Sequence, residues 1–267
     1  AAISGSSAAT CATIGKITVP ELRRRDYPED IAVGSLAGAG TLGLLIPPSI
    51  IMIVYGVAAD VSIAKLFIAG VIPGIMLALL FMGYVGVWAL IHPERIPPSD
   101  VNLGFIDKVK ASAGLIPAVL LIALVLGSIY GGIATPSEAA GVGAALCVVM
   151  AVVIYRMWSP AAWWSILRST TRESVMILMI IATAVLFGYM LTSLYITQTL
   201  AQAIADAHLN RWVLMALINV FLLVCGCFIP PAGIILMTAP ILLPIITAAG
   251  FDPVWFGVIV TINMEIG

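Results

Sequence analysis

Charge is scarce in this sequence. Only 9% of its 267 residues are Asp, Glu, Lys or Arg, where a soluble domain carries about 25%. A net charge of −1 gives no basic excess, so nothing suggests a nucleic-acid partner. Only two histidines occur, His92 and His208. His208 reads as an exposed polar residue or as a proton carrier, and His92 as a loop residue. The four cysteines (Cys11, Cys147, Cys225, Cys227) all lie in apolar runs, where they read as small packing residues or, for the Cys-x-Cys pair, as a metal or redox site. No Gly-x-Ser-x-Gly, His-Glu-x-x-His or P-loop is present. The sequence therefore offers no enzyme chemistry and no organic cofactor site.

Apolar residues fill the space that charge leaves, at 62% of the chain. They gather in runs at about 1–19, 31–59, 64–91, 113–130, 138–155, 174–196, 212–246 and 254–267. Runs of this length predict an all-α, multi-pass membrane protein. Ten of the twelve Lys and Arg residues fall in three connections, KITVPELRRRDYPED, HPERIPPSDVNLGFIDKVK and YRMWSPAAWWSILRSTTRES. The positive-inside rule places these three in the cytoplasm. Segment 158–172, with Trp158, Trp163, Trp164, Arg168 and Arg172, predicts an amphipathic helix in the cytoplasmic interface, and 196–211 its external analogue. Run 212–246 is too long for one span of about 20 residues and is divided by Pro230-Pro231. Its flanks are both read as external, which predicts a re-entrant hairpin with its tip near those prolines. The chain opens without Met and stops within an apolar run, so it reads as an internal fragment cut at membrane depth at both ends.

The stretch AGTLGLLIPPSII (39–51) interrupts the most apolar region with Gly40, Gly43 and Pro47-Pro48. A helix rising from Pro28 to Gly43 covers about 22 Å at ~1.5 Å per residue, past the midplane of a core about 30 Å thick. Two readings fit: an ordinary proline kink, or a helix unwound at GTLGLLIPP that resumes as SIIMIVYGV. Unwinding exposes carbonyls at a negative helix end, which suit a hard cation, and N–H groups at the next helix start, which suit an anion. The same punctuation returns later. VPELRRRDYPEDIAVGSLAGAGTLG (19–43) matches LPIITAAGFDPVWFGVIVTINMEIG (243–267) when Pro20 is laid on Pro244. AISGSSAATCATIG then corresponds to FIPPAGIILMTAPI, the returning arm of a hairpin. The charge pattern gives the two copies opposite topology, and interrupted inverted repeats mark the binding region of secondary transporters. Three parts follow: first-repeat elements at 1–60, scaffold helices and an interfacial arm at 61–196, and second-repeat elements at 197–267.

The residues ISGSSAAT, GTLGLLIPPS, SIAKLFIAGVIPG, GGIATPSEAAG and TAPILLP, in this order, resemble the large membrane subunit of tripartite ATP-independent periplasmic (TRAP) transporters, over the whole chain. The resemblance implies an ion-transporter-like elevator fold with re-entrant hairpins and discontinuous helices. It implies a sodium-coupled importer of a small organic acid in the bacterial inner membrane. Its implied partners are a periplasmic binding protein, a small membrane subunit and the bilayer. A stand-alone sodium-coupled carboxylate symporter or exchanger is the alternative, and a non-transporting scaffold a third class. Sodium ligands are expected at Ser4, Gly38, Gly40, Gly43, Ile46 and Pro48, and a second set at Gly226, Thr238 and Asn263. Substrate contacts are expected at Ser4, Gly5, Ser6, Ser7, Thr10, Pro48, Ser49, Pro231, Ala232 and Glu265. Relatives often carry Asp before the proline of the second tip, where this chain has Pro230. Thr135, Pro136 and Glu138 read as a helix capping box. Glu265 reads as supporting the site or as one half of an ion pair, because a carboxylate at that depth needs a partner, water or a proton.

Overall fold

A computed structural model describes residues 7–97, 112–196, 198, 199, 202 and 210–266, with backbone alone for 7–13, 112 and 113. Ten α-helices account for most of the described residues, and no strand occurs among them. They are α1 (Ser7–Arg24), α2 (Glu29–Thr41), α3 (Ile50–Ala58), α4 (Ile63–Ile91), α5 (Ile116–Tyr130), α6 (Pro136–Val153), α7 (Pro160–Ser193), α8 (Arg211–Gly226), α9 (Pro231–Ala248) and α10 (Pro253–Ile266). Helices α4, α6, α7 and α9 are long and apolar enough to cross a membrane. Helices α5, α8 and α10 are apolar but shorter. Large apolar side chains such as Ile72, Leu90, Leu120, Met179 and Tyr189 face outward along them. Hydrocarbon tolerates that arrangement and water does not. The chain is an all-α, multi-pass integral membrane protein.

Proline and glycine set most helix starts. Pro136, Pro160, Pro231 and Pro253 each open a helix, where the missing N–H removes no intrahelical bond. At α6 the expected capping box is present. The Thr135 hydroxyl accepts the Glu138 N–H, and the Glu138 carboxylate accepts the Thr135 N–H at 2.8 Å. Asn210 caps α8 through the Trp212 N–H, and Asp252 accepts the Trp255 N–H in the first turn of α10, both at 2.9 Å.

The chain divides into two compact units. In the first (1–49 and 71–156), α1 packs against α2, and α5 against α6. The turns after α1 and after α4 meet through an Arg95–Asp30 ion pair at 4.0 Å, so the two loops assigned to the cytoplasm share one side. Arg23 pairs with Glu29, and Arg24 and Arg25 with Glu21, across the first of these turns.

In the second unit (50–70 and 157–267), α9 is the central helix. It packs against α3, α7, α8 and α10, and buries Ile234, Ile235, Leu236, Ala239, Leu242, Ile245 and Ile246. Trp212, at the start of α8, meets Phe251, just after α9, edge to face at 5.5 Å. The start of α8 and the end of α9 therefore lie together.

Two boundaries differ from the sequence expectations. The interfacial helix of 158–172 and the span of 174–196 form one continuous helix, α7. Between Pro160 and Gly188 no Pro or Gly interrupts the run, so nothing locally stops the helix. Trp and Arg composition reports depth in the membrane, not a change of direction. Likewise α1 continues through Pro20 to Arg24. One proline near a helix end removes a single backbone bond, which that last turn tolerates. Most of 196–211, including His208, lies outside the described residues.

Candidate functional site

The first helix break is built by the segment 42–49. Helix α2 tightens into a 3₁₀ turn at Leu42–Leu44, the Pro47-Pro48 bond is cis, and α3 begins at Ile50. Gly40, Gly43, Leu44, Leu45, Pro47 and Ser49 are all buried here. Freed backbone at this depth has to find partners, and part of it finds them within the break. The Leu42 carbonyl accepts the N–H groups of Leu45 and Ile46 at 3.3 and 3.0 Å. The Ser49 hydroxyl donates to the Leu44 carbonyl, closing the gap that the two prolines leave. The Gly38 carbonyl accepts the Thr41 hydroxyl at 2.9 Å.

Helix α1 packs on α2 and on the 3₁₀ turn. The helix read as the first hairpin's returning arm thus meets the break, while most of the tip expected there lies outside the described residues. Ser4, Gly5 and Ser6 lie outside the described residues, and Ser7 and Thr10 are described by their α1 backbone. Gly38, Ile46 and Pro48 are half-buried beside the break. A Cβ on Gly74 of α4 would lie 2.9 Å from Ile46 Cγ1, so α4 seats closely against this segment.

The second interruption lies at 227–230, between α8 and α9. It falls at the predicted hairpin tip, with Pro230 before α9 and Pro231 at its first position. Gly226 ends α8, and Ala232 is half-buried in the first turn of α9. Thr238 is turned onto its own helix, its hydroxyl donating to the Ile234 carbonyl at 2.7 Å. Asn263 and Glu265 are buried on α10, 5% and 9% exposed. The Asn263 amide donates to Asn219 Oδ1 on α8 and to the Ile259 carbonyl, the latter at 2.9 Å. Asn219 in turn donates to the Met215 carbonyl at 2.7 Å. A chain of amides, buried at Asn263 and half-buried at Asn219, therefore joins α8 to α10.

The register of the two copies agrees with the sequence repeat. Helix α1 ends at Arg24 and α9 at Ala248; α2 begins at Glu29 and α10 at Pro253; Pro20 and Pro244 each sit four residues before their helix end. Every one of these positions in the second copy lies 224 residues after its counterpart.

Two residues escaped the sequence reading. Asn219 is the lone amide in the apolar run RWVLMALINVFLLVCG, and a polar side chain inside such a run is itself a signal. Tyr55 is 1% exposed, and its hydroxyl donates to the Pro253 carbonyl at 2.7 Å. A buried tyrosine usually finds such a partner. Among the described residues no cluster of His, Cys, Asp and Glu could hold a metal ion.

Several helices able to span a membrane, an interrupted helix and a helical hairpin in matching register are features that secondary transporters share. The family model of the tripartite ATP-independent periplasmic transporter DctM component matches residues 1–267. The chain belongs to this family of TRAP large permease components, which are transporter parts and not enzymes. It is 38% identical over 267 residues to the C4-dicarboxylate TRAP transporter large permease protein DctM of Pseudomonas aeruginosa, covering all of this chain and 62% of that protein. It is 35% identical over 268 residues to the isethionate TRAP transporter permease protein DctMQ of Oleidesulfovibrio alaskensis, covering all of this chain and 42% of that protein. It is 31% identical over 271 residues to the sialic acid TRAP transporter large permease protein SiaM of Vibrio cholerae, covering 99% of this chain and 61% of that protein. The chain thus spans less than two thirds of the length of these relatives.

Proposed function

We propose that this chain is part of the permease subunit of a sodium-coupled secondary transporter that imports a small organic acid across the bacterial inner membrane. Its substrate is delivered by a periplasmic binding protein, and a small membrane subunit completes the permease. The observation that carries this reading is the first break. There α1 packs on a 3₁₀ turn with buried glycines at the negative end of α2, which favours a cation. Relatives named for a C4-dicarboxylate and for sialic acid support the substrate class, and one named DctMQ supports the small-subunit partner.

The first sodium ion is assigned to the oxygens around Gly38, Gly40, Gly43, Ile46 and Pro48, with Ser4 from the first hairpin. The second is assigned to Gly226, Thr238 and Asn263. Movement follows the elevator scheme. Helices α3, α9 and α10 pack on one another and carry the second-repeat elements as one body against α7. The test is uptake of a labelled C4-dicarboxylate by the full-length permease in proteoliposomes, with an imposed sodium gradient and the binding protein present. Uptake is expected only with both. Uptake without the binding protein selects the stand-alone symporter instead, and uptake indifferent to sodium rejects the coupling.

A further inference from the structure

Asn263 carries two amide donors and one carbonyl oxygen, and only the oxygen is of use to a cation. An amide inverts this by rotating half a turn, so a site using it needs something to hold the orientation. Backbone carbonyls only accept, and that fixes both amides here. The Ile259 carbonyl lies 2.9 Å from Asn263 Nδ2, and the Met215 carbonyl 2.7 Å from Asn219 Nδ2. With its nitrogen turned to Met215, Asn219 presents its own oxygen to Asn263 and takes the second N–H. Both donors of Asn263 are spent, and its Oδ1 faces away from these two acceptors without a donor among the described residues. Asn263 is 5% exposed, so the orientation is set inside the protein and not by solvent.

We propose that Asn219 is a positioning residue for the second cation site, holding the Asn263 amide so that its oxygen stands ready for sodium. This rests on the assignment of Asn263 to that site. Asn219 acts through Asn263 and does not touch the ion. The order of events is simple. Met215 orients Asn219, Asn219 orients Asn263, and the ion meets a preformed oxygen without first turning an amide.

The test uses the full-length permease with its small subunit and binding protein in proteoliposomes, comparing wild type with Asn219→Ala, Asn219→Ser and Asn263→Ala. Serine bonds back to its own helix as Asn219 does but does not reach Asn263, so it keeps the proposal testable if the alanine variant fails to fold. The readouts are the sodium concentration giving half-maximal uptake and the substrate KM at saturating sodium. Asn219→Ala and Asn219→Ser are expected to raise the sodium value roughly 3- to 18-fold. This corresponds to about 0.6–1.7 kcal/mol for one interhelical hydrogen bond in a membrane. The substrate KM is expected to stay within about twofold of wild type. A packing role alone would lower the amount of folded protein and leave the sodium value where it was. That outcome, with Asn263→Ala still raising it, overturns the positioning role while the site assignment stands. An unchanged sodium value in Asn263→Ala overturns both.

Discussion

The contact between α3 and α10 gives the sharpest mechanical prediction. Gly257 faces the Tyr55 ring so closely that a Cβ there would lie 2.4 Å from Tyr55 Cε1 and 2.8 Å from Leu66 Cδ2. Neither neighbour has room to yield. Leu66 is fully buried, and Tyr55 is tethered at its far end to the Pro253 carbonyl. Gly257→Ala would gain up to about 1 kcal/mol of helix propensity. Against this stand about 1–3 kcal/mol of overpacking and about 0.5–1.5 kcal/mol if the ring swings away and loses its hydrogen bond. The net expectation is a loss of about 1–3 kcal/mol. Thermal unfolding of the full-length permease in detergent, followed by cysteine labelling, reads this as a lowered midpoint. Tyr55→Phe frees the ring, so the double variant should lose less than the two single variants together. A Gly257→Ala protein as stable as wild type, or a strictly additive double variant, would refute the close approach of α3 and α10.

Three further outcomes are expected. Gly43→Leu adds a large side chain to a buried position in the 3₁₀ turn that α1 covers, and should abolish sodium-dependent uptake while leaving the protein in the membrane; normal sodium dependence would remove this turn from the cation site. Single cysteines at Arg24 and Asp252 should be labelled from the cytoplasm and from the outside respectively, and labelling of position 252 from the cytoplasm would overturn the inverted repeat. A Cβ on Gly188 would lie 3.3 Å from Pro240 Cβ, close to the disulfide spacing of about 3.5–4.5 Å; oxidation of cysteines placed at these two positions should stop transport, whereas a crosslink between α1 and α2 should be tolerated.

The parts of this fold that were legible in the sequence are those governed by chain-local chemistry. Proline cannot donate and glycine lacks a Cβ, so Pro47-Pro48, Pro230-Pro231 and Pro253 announce a break, a tip and a start wherever they fall. Thr135 and Glu138 complete a cap with atoms three residues apart. The repeat was legible because its punctuation recurs at a constant spacing. What stayed hidden depends on partners far along the chain. Asn219 reaches Asn263 across 44 residues, and Tyr55 reaches Pro253 across 198. Hydropathy also misjudged α7. A change from Trp- and Arg-rich to aliphatic sequence looks like a junction, yet the backbone has no reason to bend there. At ~1.5 Å per residue its 34 residues reach about 51 Å, so the helix outlasts a hydrocarbon core of about 30 Å and carries its own aromatic end beyond it. That end is fixed locally, with the Trp163 indole N–H donating to the Met157 carbonyl at 2.9 Å.

The two faces that α3, α7, α9 and α10 present to one another differ in kind, and the difference bears on which can move. Between α3 and α10 a tyrosine ring is set into a glycine notch and tied by a hydrogen bond to a backbone carbonyl. Sliding this contact by one helical turn, about 5.4 Å, would leave the buried Tyr55 hydroxyl without its carbonyl acceptor, at a cost of about 1–3 kcal/mol. Between α7 and α9 the closest approach at a glycine is Gly188 against the Pro240 ring, an apolar surface opposite a missing side chain. Displacing that ring breaks no hydrogen bond, and dispersion lost at one register is recovered at the next. A body that includes α3, α9 and α10 and slides along α7 keeps the costly contacts and exchanges the cheap ones. The proposed elevator movement is compatible with the polar groups at both interruptions, where Ser49 turns onto Leu44 and Asn263 onto Asn219. A moving element can carry its hydrogen bonds with it only if both partners travel together.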